Sequence, residues 1–248
     1  MKDQFANDEL VDPKWKSLYR AGGWAALTIG ALFIIEMIIY IASSEPSLAD
    51  AAGWLTLFQK NRLLGLVNFG FLEFFGLLFF VPMFLALYAV LKRTSESYAA
   101  IAAILGFIGI AVNFATGKLF SLLALSDLYA AAATDAQRLQ FLAAAQAALA
   151  QSAQGGIGGG VEGGVPLAVA GLSLSVVMLR SGIFGKVTGY VGILANGIGL
   201  VMYILSVAVT ALEGSPLFGL FFLLSILWFF LIARRLIQLG QPVRAAAI

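Results

Sequence analysis

The chain of 248 residues contains neither cysteine nor histidine. Their absence excludes disulfide frameworks, zinc sites built from thiolates or imidazoles, catalytic cysteines and Ser-His triads. Charged residues make up only 11% of the chain, against about a quarter in an ordinary soluble domain. Because the formal net charge is only +2, we expect no nucleic-acid partner. No cofactor-binding motif stands out, so we expect no cofactor.

Apolar residues, by contrast, make up 61% of the sequence. A soluble fold of this size could not bury so many of them, so lipid must be the solvent. Six stretches are long enough to cross about 30 Å of hydrocarbon as helices that rise about 1.5 Å per residue. These predicted spans are residues 22–42, 63–91, 100–125, 158–179, 187–211 and 217–233. Their continuous apolar runs predict an all-α, six-helix transmembrane bundle.

The distribution of basic residues predicts how the bundle is oriented. With the N-terminus inside, the cytoplasmic segments, including residues 1–21 and 234–248, carry eleven of the fifteen lysines and arginines. The outer segments carry only Lys60, Arg62 and Arg138, and Lys118 falls within a span. Since cytoplasmic loops of membrane proteins are enriched in bases, the pattern predicts that both termini are cytoplasmic, N-in/C-in.

Two outer segments are long enough to form helices of their own. Residues 47–61 mix apolar and polar side chains in the pattern of a short helix at the membrane interface. Residues 126–154 lie between spans three and four and predict an extracytoplasmic amphipathic helix, capped by Thr134 or Asp135. This helix would cover the outer mouth of the bundle. The sequence favours a structural connector over a functional lid.

Seven glycines fall within the ten residues from Gly155 to Gly164. Their spacing of four would leave two bare helix faces, which allow a neighbouring backbone to pack closely. An unwound or re-entrant segment, or a loop, is the alternative. If the bare faces meet another chain, they predict a membrane-protein partner or a homo-oligomer.

Four ionisable residues fall inside predicted spans and are the first candidates for function, because such groups are costly in lipid and normally face the bundle interior. They are Glu36, Glu73, Lys118 and Glu162. Counted at about 1.5 Å per residue, all four lie in the outer half, within about two helical turns of each other. Asn113 and Asn196 lie deeper and would form the floor of a polar cavity.

Three carboxylates and one ammonium group cannot all be paired while charged. Either water reaches them or at least one glutamate is protonated. One hypothesis is therefore a ligand- or proton-binding site near the outer surface. The alternative is a structural salt bridge, for example between Lys118 and Glu73, with the remaining groups solvated. Covalent chemistry at Lys118 is the least favoured hypothesis.

Two short motifs indicate a family. Residues 84–93 (FLALYAVLKR) close the second span, and residues 178–186 (MLRSGIFGK) are followed by GYVGI. Both resemble a family of small prokaryotic multi-pass membrane proteins known only as a domain of unknown function. The resemblance would cover roughly residues 15–235. It implies six helices and a plasma-membrane location but no catalytic motif.

Three functions remain open from the sequence. The first is binding or transport of a small ligand, ion or proton through an outward-facing polar cavity. The second is a structural or assembly subunit that packs through its glycine faces. The third, an intramembrane enzyme with Glu73 as general base, is the least favoured because neither histidine nor cysteine is present.

Overall fold

The computed structural model describes residues 12–42, 46–153, 160–206 and 216–241. A 3-10 turn, Pro13–Trp15, precedes ten α-helices in this described part of the chain. The helices are α1 Lys16–Ala42, α2 Ala51–Lys60, α3 Arg62–Asn68, α4 Phe71–Leu91, α5 Glu96–Thr116, α6 Leu119–Ala131, α7 Asp135–Ala153, α8 Gly160–Ser181, α9 Lys186–Ser206 and α10 Pro216–Leu239.

Six of the helical segments are long and apolar enough to cross a membrane, which confirms the predicted number of spans. They cover Pro13–Ile39, Phe71–Leu91, Glu96–Ala131, Val161–Ser181, Lys186–Ser206 and Pro216–Leu239. Parts of several predictions lie outside the described residues: much of both terminal segments, the last residue of the connector 126–154, the start of span four, the end of span five and residues 155–159 of the glycine tract. The chain is therefore a multi-pass membrane protein with an all-α bundle.

The long helices form a closed ring in the order α1, α4, α5, α8, α9, α10 and back to α1. Contacts at glycines show whether two neighbouring helices run parallel or antiparallel. Gly22 meets Ala86 whereas Gly76 meets Leu32, so α1 and α4 run antiparallel. The same reasoning makes α10 antiparallel to α1, because Gly23 meets Ile237 while Gly30 meets Phe230. Every helix in the ring thus alternates in direction with its neighbours.

Two of the predicted spans are interrupted. Span two is divided into α3 and α4, and the chain turns at Gly70, whose φ of 92° lies in the left-handed region that glycine adopts without a steric penalty. Span three is divided into α5 and α6 at Gly117, whose ψ of 132° leaves the helical range. Lys118 follows directly, at the N-cap of α6. The apolar pattern runs through both breaks, so hydropathy alone does not reveal them.

Beyond these breaks, α2, α6 and α7 form a small helical cap with its own apolar core. Trp54, Leu55 and Phe58 of α2 are buried against Leu122 of α6 and Leu149 of α7. The Arg62 guanidinium donates two hydrogen bonds to the Asp127 carboxylate, at 3.0 and 3.1 Å. The apolar face of α2 is therefore covered by protein from the same chain rather than by lipid headgroups.

Helix α7 begins where the sequence predicted, and its N-terminus is a capping box. The Thr134 hydroxyl accepts a hydrogen bond from the Gln137 amide, at 3.2 Å. In return, the Gln137 side-chain oxygen accepts from the amides of Ala133 and Thr134, at 2.9 and 3.3 Å. Amides that would otherwise be unpaired at the helix start are thereby satisfied.

The two ends of the bundle differ in charge. Helix ends opposite the cap carry most of the described bases, which are Lys14, Lys16, Arg20, Lys92, Arg93, Arg180, Lys186, Arg234 and Arg235. Near the cap, by contrast, Lys60, Arg62, Lys118 and Arg138 are interspersed with acids such as Asp50, Asp127 and Asp135. Between the ends, large aliphatic side chains such as Ile104, Leu194 and Leu223 are exposed on the outer face of the ring, as a lipid-facing surface requires.

Candidate functional site

A cavity of about 100 Å³ lies inside the ring, in the half nearer the cap. Residues of α1, α4, α8, α9 and α10 line it, whereas α5 contributes none. Most of the wall is apolar. Its polar side chains are Glu36, Glu73, Asn196, Tyr203, Ser225 and the indole N–H of Trp228.

Glu36 and Glu73 come from neighbouring antiparallel helices. Glu36 lies in the last third of α1 and Glu73 in the first turn of α4, so both are at the same height in the bundle. The two carboxyl groups are close enough to interact electrostatically. Within the part of the chain that the structure describes, neither group has a hydrogen-bond or ion-pair partner, and the Oε1 atom of Glu36 is buried.

Glycines on α8 make room for the polar side chains of α9. Asn196 and Tyr203 are seven residues apart on α9, so they lie on one face of that helix. Gly171 and Gly164 are also seven residues apart on α8; the Asn196 amide packs against Gly171 and the Tyr203 ring against Gly164. A Cβ atom at either glycine would overlap with these side chains.

The Asn196 amide is held in place by its own helix. Its Nδ2 donates to the Gly192 carbonyl at 2.8 Å. Tyr203 is close enough to Glu73 to interact electrostatically with it. The polar face of α9 therefore lies opposite the glutamates across a single cavity.

Trp228 completes the wall on α10. It is 3% exposed, and its indole N–H has no hydrogen-bond partner among the described residues. Gly192 of α9 faces this indole nitrogen and also the Ser175 hydroxyl. A buried donor without a partner is unusual in a folded protein, because the unmade hydrogen bond costs about 1–3 kcal/mol.

Tyr203, Ser225 and Trp228 were missed as site residues, and the sequence carried a usable signal only for Tyr203. Tyr203 follows Asn196 by seven residues, and Trp228 follows Ser225 by three, so each pair lies along one helix face. Helical spacing from an already suspected polar residue would have found Tyr203. Ser225 and Trp228 can be recognised as cavity-lining residues only once their neighbours on the other helices of the ring are known.

Half of the candidate residues from the sequence lie elsewhere. Lys118 is half-buried at the break between α5 and α6 and does not line the cavity. Glu162 is exposed in the first turn of α8, also outside the cavity. In the described residues no ion pair joins Lys118 to Glu73, so the salt bridge of the sequence-based alternative is not formed.

Asn113 is buried between α5 and α8, apart from the cavity. Its Nδ2 donates to the Gly109 carbonyl at 2.8 Å, while its Oδ1 has no partner in the described part of the chain. The amide packs directly against Gly163. Gly163 and Gly164, the described glycines at the end of the glycine tract, are thus covered by Asn113 and Tyr203 of the same chain.

Comparison with known proteins identifies the family of this chain. Residues 28–240 match a family model described as "Domain of unknown function (DUF4386)". Neither the curated proteins nor the solved structures contain a match. The family match begins inside the first membrane helix, contains the other five and includes every residue that lines the cavity. The chain therefore belongs to the DUF4386 family of membrane proteins, as its motifs predicted.

Proposed function

We propose that this chain binds a small ligand, ion or proton in the cavity beside Glu36 and Glu73 and carries it across the membrane. The observation that supports this most strongly is the pair of carboxyl groups, without any described protein partner, on the wall of one cavity. Carboxyl groups within a membrane bundle are expensive and mark ion or substrate pathways. A structural role would require partners that compensate for their burial.

The orientation of the chain is part of this proposal. The base-rich end of the bundle is assigned to the cytoplasm of a prokaryotic plasma membrane, with both termini inside. The cap of α2, α6 and α7 is then extracytoplasmic, and the cavity opens toward the outside. A ligand would enter from the cap side of the bundle.

Flux measurements in liposomes test the transport function. The purified protein is reconstituted with a pH-sensitive dye trapped inside, and sodium, potassium or ammonium chloride is added outside. We expect a solute-dependent change of the internal pH, beyond that in empty liposomes, that Glu73→Gln abolishes, because this change removes a carboxylate at nearly constant volume. Glu162→Gln is the matched control; it removes an exposed glutamate outside the cavity and should leave the flux unchanged.

Two results would contradict the proposal. One is flux no faster than in empty liposomes, together with a melting temperature that no solute shifts. The other is identical flux in the Glu73→Gln variant and the wild type. Circular dichroism and size-exclusion profiles of each variant check that the fold is retained.

A further inference from the structure

The charge of the cavity wall selects the sign of the ligand. Glu36 and Glu73 both line the cavity, and within the described residues no lysine or arginine joins them. Two carboxyl groups side by side in a low-dielectric interior ionise together only when a cation between them compensates their charge, and a neutral or anionic ligand would leave that charge uncompensated. The cavity therefore favours a cation over a neutral ligand or an anion.

The aromatic side chains of the wall distinguish between kinds of cation. Phe33, Phe80 and Phe229 all line the cavity, and the rings of Phe33 and Phe80 each contact that of Phe229. Phe33 stacks on Phe229 with ring centroids 5.5 Å apart, and Phe80 meets Phe229 edge-on at 5.6 Å. Faces of aromatic rings attract organic cations within about 6 Å of the ring centroid.

A dehydrated metal ion fits this wall poorly. Hard divalent cations need about six to eight oxygen ligands. No group of three or more acidic or histidine side chains that could hold a metal occurs in the described ranges. An organic ammonium ion has the opposite requirement, since it needs a few acceptors for its N–H groups and apolar surface for its carbon atoms.

The size of the cavity limits the ligand. Its volume of about 100 Å³ is below the lower end of about 300 Å³ for pockets that hold drug-sized molecules. It exceeds several times the roughly 10–15 Å³ that a single water requires. A ligand of a few non-hydrogen atoms matches this space.

We propose that the cavity binds a small organic ammonium ion, with its nitrogen between Glu36 and Glu73 and its alkyl part against Phe33, Phe80 and Phe229. This inference rests on the proposed function and specifies its substrate class. The Glu36 carboxylate oxygen that has no partner accepts a hydrogen bond from the ammonium group. The aromatic rings replace the water that the alkyl part loses.

Calorimetric titration of the full chain in nanodiscs tests the inference. The probes are ethylammonium chloride, sodium chloride and ethanol, which has the same number of non-hydrogen atoms as ethylammonium but no charge. We expect ethylammonium to bind and ethanol not to bind. Glu73→Gln should weaken ethylammonium binding by about tenfold or more, because a charge-assisted hydrogen bond is lost.

A pair of neighbouring phenylalanines isolates the aromatic contribution. Phe80 lines the cavity, whereas Phe79 is 38% exposed on the outer surface and does not line it. Phe80→Leu should weaken ethylammonium binding by about two- to fivefold, because leucine removes an aromatic ring that attracts the positively polarised carbon next to the nitrogen. Phe79→Leu should leave the affinity unchanged, and the melting temperature of both variants checks their folding.

The outcomes separate this inference from the proposed function. Sodium binding as strong as ethylammonium binding, or equal affinities in the Phe80→Leu and Phe79→Leu variants, would overturn the inference. Proton or sodium flux that depends on Glu73 would still support the proposed function in that case. If no cation binds and no flux is seen, both are overturned.

Discussion

At the scale of single residues, Glu36 and Glu73 differ from the other ionisable residues near the cap because they face a cavity inside the ring. Counting along the helices placed Glu36, Glu73 and Lys118 at similar depth. Glu36 and Glu73 line one cavity because α1 and α4 are antiparallel neighbours in the ring, where Gly76 meets Leu32. Lys118 lies on the far side of α4, at a helix break. Which groups share a cavity depends on ring order, which the sequence does not display.

The two asparagines among the candidates also show that the sequence does not reveal which side chains line the cavity. Both Asn113 and Asn196 donate to a backbone carbonyl one turn earlier in their own helix. Asn196 nevertheless lines the cavity while Asn113 packs between α5 and α8. Their residue type and their hydrogen bond within the helix are alike, so the neighbouring helices distinguish them.

A substitution at Gly171 tests the packing of the α8–α9 wall. In Gly171→Ala the new Cβ would overlap with the Asn196 amide, so that side chain or α9 must shift. We expect a loss of about 1–3 kcal/mol in the free energy of unfolding, the usual cost of overpacking. Thermal unfolding in nanodiscs measures it.

Gly219→Ala is the control for this experiment, since no atom lies within 4 Å of the Cβ that it adds to α10. The control should unfold at or above the wild-type temperature. Equal melting temperatures for Gly171→Ala and wild type would show that Asn196 is not held against Gly171.

At the scale of helices, hydrophobic patterns predicted which residues are helical better than they predicted what covers them. The segment 47–61 contains α2, as expected. The amphipathic pattern of this segment indicates only that one face is buried. In the structure α6 and α7 cover that face, rather than lipid headgroups. The breaks at Gly70 and Gly117 were missed because apolar residues continue on both sides of each turn.

The start of α7 was predictable to within one residue, because capping depends on local chemistry. Thr134 and Gln137 form the reciprocal pair that a Thr-x-x-Gln sequence allows. Thr134→Ala should destabilise α7 by about 1 kcal/mol, the usual effect of losing an N-cap side chain. Hydrogen exchange of the α7 amides would report this as faster exchange in the first turns.

Gln140→Ala is the matched control for the capping experiment. Gln140 is exposed within α7, and alanine is the better helix former, so exchange in α7 should stay the same or slow down. Unchanged exchange in the Thr134→Ala variant would show that the cap contributes nothing to the stability of the helix.

At the scale of the whole molecule, composition and the six continuous apolar stretches predicted an all-α membrane bundle with six spans, because lipid leaves the backbone few alternatives. They could not predict the closed ring, since the order of helices depends on close approaches such as Gly22 with Ala86 and Gly109 with Leu167. The difference in charge between the two ends was visible in both sequence and structure. Orientation in the membrane follows from that difference only through the positive-inside rule.

Single-cysteine labelling tests the orientation directly, because the chain has no native cysteine. Gln140→Cys places a thiol on the exposed surface of α7, and Ser97→Cys places one at the base-rich end of α5. In intact cells that express each variant, a membrane-impermeant maleimide should label position 140 only. Labelling of position 97 in intact cells, with position 140 protected, would reverse the proposed topology.

Carbodiimide labelling is the measurement that tests the shared glutamate cavity most directly. Dicyclohexylcarbodiimide adds to carboxylic acids in apolar surroundings, and mass spectrometry of the intact chain and its peptides counts and locates the adducts. Because the two carboxyl groups line one cavity, an adduct on either would block the reagent from the other, and we predict one adduct per chain, at Glu36 or at Glu73. Glu36→Gln should direct all of this labelling to Glu73. Chains that carry adducts on both glutamates, or on neither, would contradict a single cavity shared by the two carboxyl groups.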